Sequence, residues 1–151
     1  MNDLTKLIIN IALIVLIGVT FTLIMNSQHP SIPTQHTIQI VDTTATVNAG
    51  TYVPYEFSIP SGASIISASG TFTAQGGSGN DIKVYLFDST DYQYYKNGQV
   101  FTAIYESGQT HTATISTYIP SSGNYYLVLD NKFSTINAKT VDIQATATYT
   151  R

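Results

Sequence analysis

From Leu7 to Met25 the chain reads LIINIALIVLIGVTFTLIM, without a charge and apolar all round a helix. About 19 residues at about 1.5 Å each span roughly 28 Å, which matches the hydrocarbon core of a bilayer. Leu7, Ile11, Leu16, Phe21 and Met25 are therefore expected to lie in a membrane span. A buried core helix would show one apolar stripe instead. A cleaved secretory signal would be shorter and would end in small residues, where this chain has Ile24 and Met25, so an uncleaved signal anchor fits better. Lys6 precedes the span and no Lys or Arg follows it until Lys83. That asymmetry places the amino terminus in the cytoplasm and the rest outside.

Beyond the span the periodicity changes. Residues 27–37 read SQHPSIPTQHT, where Pro30 and Pro33 favour extended backbone, and a short stalk is expected. From there the period is two. Val141, Ile143, Ala145, Ala147 and Tyr149 alternate with polar residues, as do Val53, Tyr55, Phe57 and Ile59, and Ala113 with Ile115. Pro54 assigns its strand to a sheet edge, since proline cannot donate to a ladder. The runs DIKVYLF (81–87) and YYLVL (125–129) are nearly continuous and predict central strands covered on both faces. Turn residues separate the runs: Asn48 to Gly50, Pro60 to Gly62, Gly76 to Asn80, Asn97-Gly98, Ser107-Gly108 and Pro120 to Asn124. Gly76 to Asn80 is expected to be a hairpin connection. Seven or eight strands with this punctuation predict an all-β, antiparallel sandwich of jelly-roll type after one amino-terminal transmembrane helix. The expected division is a tail and anchor over 1–26, a stalk over 27–37 and an extracytoplasmic sandwich over 38–151.

Composition narrows the function. The 151 residues include no Cys, and only 10% are charged, with a formal net charge of -3. Zero Cys removes disulfide scaffolds, thiol catalysis and Cys-ligated metals. Five Lys and one Arg without a cluster argue against a nucleic-acid partner. So low a charge content suits a membrane-associated surface protein better than a cytosolic enzyme.

The order Gly50, Tyr52, Tyr55, Phe57 and Pro60, then Phe72, then Asp81 to Val84, then YYLVLDNKFSTINAKTVDIQATATY over 125–149, resembles the GOLD domain. The closing segment is its most specific part: a strand ending at Asp130-Asn131, a short loop with Phe133, and Lys139 before the last strand. The resemblance covers about Ile38 to Tyr149. It implies a non-catalytic β-sandwich that mediates protein or lipid contacts and is often membrane-anchored. The chain has no Trp and no Cys pair, so a trafficking receptor's role does not carry over. Asp130 and Asn131 suit a strand end because their side chains bond nearby backbone. Phe133 and Ile136 are expected to tuck back on the sandwich, with Lys139 paired to Asp130 or a neighbouring acid.

Catalytic chemistry finds little support. Asp88 and Asp91 are close in sequence, but DSTD reads as a turn better than as an acid and base pair. His111, expected at a strand end, has no Ser in a G-x-S-x-G elbow to serve. GGSGN lacks the Lys and helix of a phosphate loop. Asp81, Asp88 and Asp91 form no D-x-D-x-D-G calcium loop, and His29 and His36 stand in the stalk without companion ligands. No metal or cofactor is expected. Tyr92, Tyr94, Tyr95 and Tyr105 around Asn97-Gly98 are the candidate recognition surface, because tyrosine gives large contact area with little rotamer loss. The competing reading, cross-strand packing, carries more weight.

These features predict a single-pass anchored, non-catalytic module that binds a protein, glycan or lipid at a surface. The alternative is a structural subunit of a surface filament or enveloped virion, a homo-oligomer assembled through the apolar helix.

Overall fold

The computed structural model describes residues 2–5, 32–77 and 79–151. Leu7 to Met25, expected as the membrane span, and residues 27–31 of the stalk lie outside the described residues. Among those described, no helix is long and apolar enough to cross a membrane. Near the start, residues 3–5 make a helical turn in which the Thr5 N–H donates to Asn2 Oδ1 at 3.0 Å.

Pro33–Arg151 form one compact unit. Its elements are β1 (Gln35–Val47), β2 (Tyr52–Ile59), β3 (Ser64–Gln75), β4 (Ile82–Asp88), α1 (Ser89–Lys96), β5 (Tyr105–Thr110), β6 (Thr112–Tyr118), β7 (Gly123–Asp130) and β8 (Lys139–Thr150). They build two four-stranded antiparallel sheets, ordered β1-β8-β3-β6 and β2-β7-β4-β5. Apart from the hop from β4 to β5, each successive strand changes sheet, which is the winding of a jelly roll. The expected sandwich is present. β1 begins three residues earlier than the boundary drawn from sequence, so His36 is in a strand and stacks on Tyr149 at 5.1 Å.

The alternating residues make the core. Val141, Ile143, Ala145 and Ala147 of β8 meet Ile66, Ala68, Phe72 and Ala74 of β3 in the first sheet, and Phe57, Ile59, Val84, Leu86, Leu127 and Leu129 in the second. Burying each large side chain contributes about 1.5–3 kcal/mol. In β1 a bulge after Gln39 turns both Ile40 and Val41 inward. At Gly70 the backbones of β3 and β8 pass so closely that a Cβ would lie 2.2 Å from the Gln144 carbonyl oxygen. No larger residue fits there without moving a strand.

β4 and β7 are central strands, and β2, which carries Pro54, is an edge. Their second apolar set faces outward. Tyr85, Phe87 and Val128 are covered by α1, through Tyr92 and Tyr95, and by Phe101 and Ala103 of the segment that follows. This helix departs from the all-strand expectation for the Tyr-rich segment. Asp88 caps it, its Oδ1 accepting from the N–H groups of Thr90 and Asp91 at 2.8 Å each. Tyr92 and Tyr95, three apart, then fall on one buried face.

Two other turn expectations change. Gly76 to Asn80 carries the chain from the first sheet to the second, so it is a crossover, not a hairpin. Ser107-Gly108 lies inside β5 as a bulge opposite β4, where the Val84 N–H donates to Ser107 Oγ at 2.9 Å.

The two ends of the sandwich differ. Chain entry and exit share one: Thr34 and Arg151 exchange backbone hydrogen bonds at 2.9 and 3.0 Å. At the far end lie the connections 48–51, 76–81 and 131–138, together with His111, which stands between β5 and β6.

Candidate functional site

The far end gathers the residues of the closing motif. Asp130 ends β7 and its Oδ1 accepts from the Lys132 N–H at 2.6 Å, the local bond that lets an aspartate turn the chain. Asn131 is fully buried. Its Nδ2 lies within hydrogen-bond reach of the carbonyls of Val47 at 3.1 Å and Asn137 at 2.9 Å, and its backbone pairs with Gly50 and Thr51. One side chain thus ties the β1-β2 connection to both limbs of the 131–138 loop. Ser134 closes that loop by donating to the Asn137 carbonyl at 2.9 Å and accepting from its N–H.

Lys139 is 3% exposed at the start of β8. Burying an ammonium is costly unless it is paired, and this one donates to Asp81 Oδ1 at 2.7 Å and to the Gly76 carbonyl at 2.8 Å. Gln109 donates to the other carboxylate oxygen of Asp81. Gln109 and Lys139 together hold the Asp81 carboxyl below the ordinary aspartate range. The partner of Lys139 is therefore Asp81, not Asp130. Asp81 and Gln109 are the site residues that sequence reasoning left unpaired with the motif; the acidic residue opening the DIKVYLF run was the available signal.

Phe133 is half-buried beside this pair, whereas Ile136 is 85% exposed at the loop's crest. The expectation that Ile136 tucks back fails, because the Ser134–Asn137 bonds close the loop with that side chain outside. Between Gly79, Gln109, Phe133, Thr135 and Ile136 lies an open recess of about 260 Å³ floored by the Asp81–Lys139 pair.

The four tyrosines singled out from sequence do not form one surface. Tyr92 and Tyr95 are buried under α1, Tyr94 is 42% exposed, and Tyr105 packs against the core with its hydroxyl donating to the Thr114 carbonyl at 3.0 Å. Lys132 caps the buried group, its Nζ lying 3.9 Å from the Tyr95 ring centre and 4.6 Å from that of Tyr52. Burial, reinforced by Glu106 and Asp130, pushes Tyr85 up to about 12. Burial, reinforced by Tyr52, pushes Tyr92 up to about 12 as well, and burial beside Asp130 raises Tyr95.

Asp88 and Asp91 are occupied structurally. Asp88 caps α1, and Asp91 Oδ1 accepts from the Thr102 N–H at 2.8 Å, fastening the helix to the segment after it. His111 sits between β5 and β6 with Nδ1 3.2 Å from the Asn80 carbonyl. Among the described residues, no group of three or more His, Asp or Glu is arranged to hold a metal ion. What this end offers is an exposed isoleucine beside a polar recess, the loop tied to β1 through Asn131 and the recess floored by the Asp81–Lys139 pair.

No protein-family model matches this chain, and no curated protein matches it. Among solved structures the chain is similar to Aeromonas hydrophila PliG, a periplasmic lysozyme inhibitor of g-type lysozyme. The identity is 12% over 82% of this chain and 92% of that one, with a TM-score of 0.37.

Proposed function

We propose that this protein is a membrane-anchored, non-catalytic, extracytoplasmic β-sandwich whose far end engages a protein partner. The observation that carries this reading is how the buried polar groups are used. Asn131 is consumed in holding the 131–138 loop, Lys139 fastens the start of β8 to Gly76 and Asp81, and the loop displays Ile136 at 85% exposure. A rigid apolar knob beside a polar recess is the kind of anchor that binding surfaces use. That loop stands at the end of the sandwich opposite the chain entry at Thr34. The apolar run before the sandwich supports the tether, and the likeness of 125–149 to a GOLD domain supports an interaction role.

The test combines two measurements on the full chain in native membranes. Alkaline carbonate should leave the protein in the membrane pellet. A photo-crosslinking residue at 136 should give a discrete adduct with another polypeptide, while one at Thr114 should not. Release by carbonate, or no adduct from 136, would overturn the reading. Recovery of all the protein in ordered polymers would replace it with the filament or virion subunit.

A further inference from the structure

The outer face of the first sheet has no covering element among the described residues, and its composition is narrow. Every outward position of β3 from Ser67 to Gln75, and of β8 from Thr140 to Thr148, is Ser, Thr, Gln or Asp. β1 continues the pattern with Thr37, Gln39, Asp42, Thr44 and Thr46, and β6 with Thr112, Thr114 and Ser116, before it ends at the exposed Tyr118 opposite Ser67. Neighbouring strands lie about 4.8 Å apart and outward residues about 6.7 Å apart along each strand, so the face is a grid of short polar groups.

The grid is not flat. Three recesses follow one another along the β3-β8 seam. The first, about 290 Å³, lies between Ser69, Thr71, Gln144 and Thr146. A second of about 210 Å³ shares Thr71 and Gln144 with it and adds Asp42, Thr73 and Asp142. The third, about 310 Å³, shares Thr73 and Asp142 with the second and adds Thr44, Gln75 and Thr140. Shared walls make them one trough. From Ser69 to Gln75 it runs about 20 Å, at about 3.3 Å per residue.

We propose that this trough is a binding cleft for a neutral polysaccharide chain. Its walls are hydroxyls, side-chain amides and two carboxylates, the groups that exchange hydrogen bonds with vicinal hydroxyls. Most of their mutual bonds are long: Thr73 to Thr112 is 3.3 Å, Gln144 to Asp42 is 3.4 Å and Thr44 to Asp142 is 3.5 Å. Donors and acceptors are therefore left for a ligand. Asp42 and Asp142 with no Lys or Arg on the face repel anionic chains, which excludes nucleic acid, phospholipid and uronic-acid polymers. A second copy stacked on this face would bring four carboxylates together. Phe72, Ile143 and Ala145 also line the recesses, but their side chains are buried in the core, so an apolar partner would find little apolar surface there. The continuity of the three recesses fits an extended chain better than a single small molecule.

This cleft shares no residue with the recess at the far end. Its test is native affinity electrophoresis of the full chain in neutral detergent, with dextran, galactomannan, amylose or mixed-linkage β-glucan in the gel and alginate as the anionic probe. At least one neutral polymer should retard the protein and alginate should not. The double variant T71V/Q144V should weaken the retardation about tenfold or more, one decade in Kd. Ser116→Val, on the same face outside the trough, and Ile136→Ser at the far end should retain it, and melting curves should show all variants folded. Retardation by none of the neutral polymers, by alginate alone, or equally in T71V/Q144V would overturn the proposal. So would a concentration-dependent dimer that T71V/Q144V abolishes.

Discussion

The two outer faces of this sandwich share a common core and differ in everything laid over it. On the second sheet the outward residues Tyr85, Phe87 and Val128 are buried under α1 and stacked aromatic rings, Tyr92 on Tyr126 at 3.9 Å and Phe87 on Tyr95 at 5.2 Å. On the first sheet the same strand parity carries threonine and serine, and water reaches them. The strands are equally regular on both sides. One parity class of residues therefore decides whether a face is a third layer of structure or an open surface, and each face should respond to substitution accordingly.

The sharpest break of that contrast is Phe87→Ala. Phe87 is fully buried between β4 and α1, and its loss should cost about 3–5 kcal/mol in chemical denaturation. A cost under about 1 kcal/mol would mean that the helix adds no core of its own.

Lys139→Ala tests whether the far end is part of the same stability. Removing it leaves the pinned Asp81 carboxylate without its cation, and about 3 kcal/mol should be lost, the low end for breaking a buried pair, because Asp81 is partly exposed.

A third measurement is the pH dependence of the melting temperature. Tyr85 and Tyr92 have folded pKa values of about 12, raised from 10.0, so the folded state holds those protons more tightly. Their contribution is complete below pH 10 and is lost as pH rises from about 10 to about 12. Alkaline unfolding should therefore fall in that window, and in Y85F/Y92F it should move upward. Asp81 acts at the other extreme: its lowered pKa gives stability above its unfolded value of 3.8 that is lost on further acidification.

Asp88→Ala removes the cap of α1 and should cost about 1 kcal/mol. Smallest of all, Thr114→Val on the open face should change stability by no more than about 0.5 kcal/mol. A larger loss there would show that the hydroxyl grid supports the fold and that the two faces are less different than they look.

Much of the core was legible because inward and outward residues alternate cleanly in β2, β6 and β8. The double coverage of β4 and β7 was legible too, since DIKVYLF and YYLVL leave no polar face to expose. What covers them was not. Tyr92 and Tyr94 satisfy a period of two, Tyr92 and Tyr95 a period of three, and the capping Asp88 reads equally well as a turn residue. The far-end partners were hidden for a different reason. Lys139 and Asp81 are 58 residues apart, and their meeting depends on the chain crossing between sheets at Gly76 to Asn80. Turn residues announce that a chain bends, not which sheet it joins next. The trough was hidden as well, because it belongs to three strands whose polar positions look individually like ordinary solvated faces.

The pairing of β1 with β8 has a mechanical meaning. The ladder runs from Gln35 opposite Thr150 at the base to Val47 opposite Lys139 at the far end. A pull applied between the chain before Thr34 and the 131–138 loop draws β1 downward by its first residue and β8 upward by its first residue. The two strands are then loaded along their length in opposite senses, so the hydrogen bonds of the ladder share the force in shear. Pulling on Thr34 and Arg151 would instead unzip them singly from the base. Load applied across the two ends of the sandwich therefore meets its terminal strands in the direction in which they resist tension best.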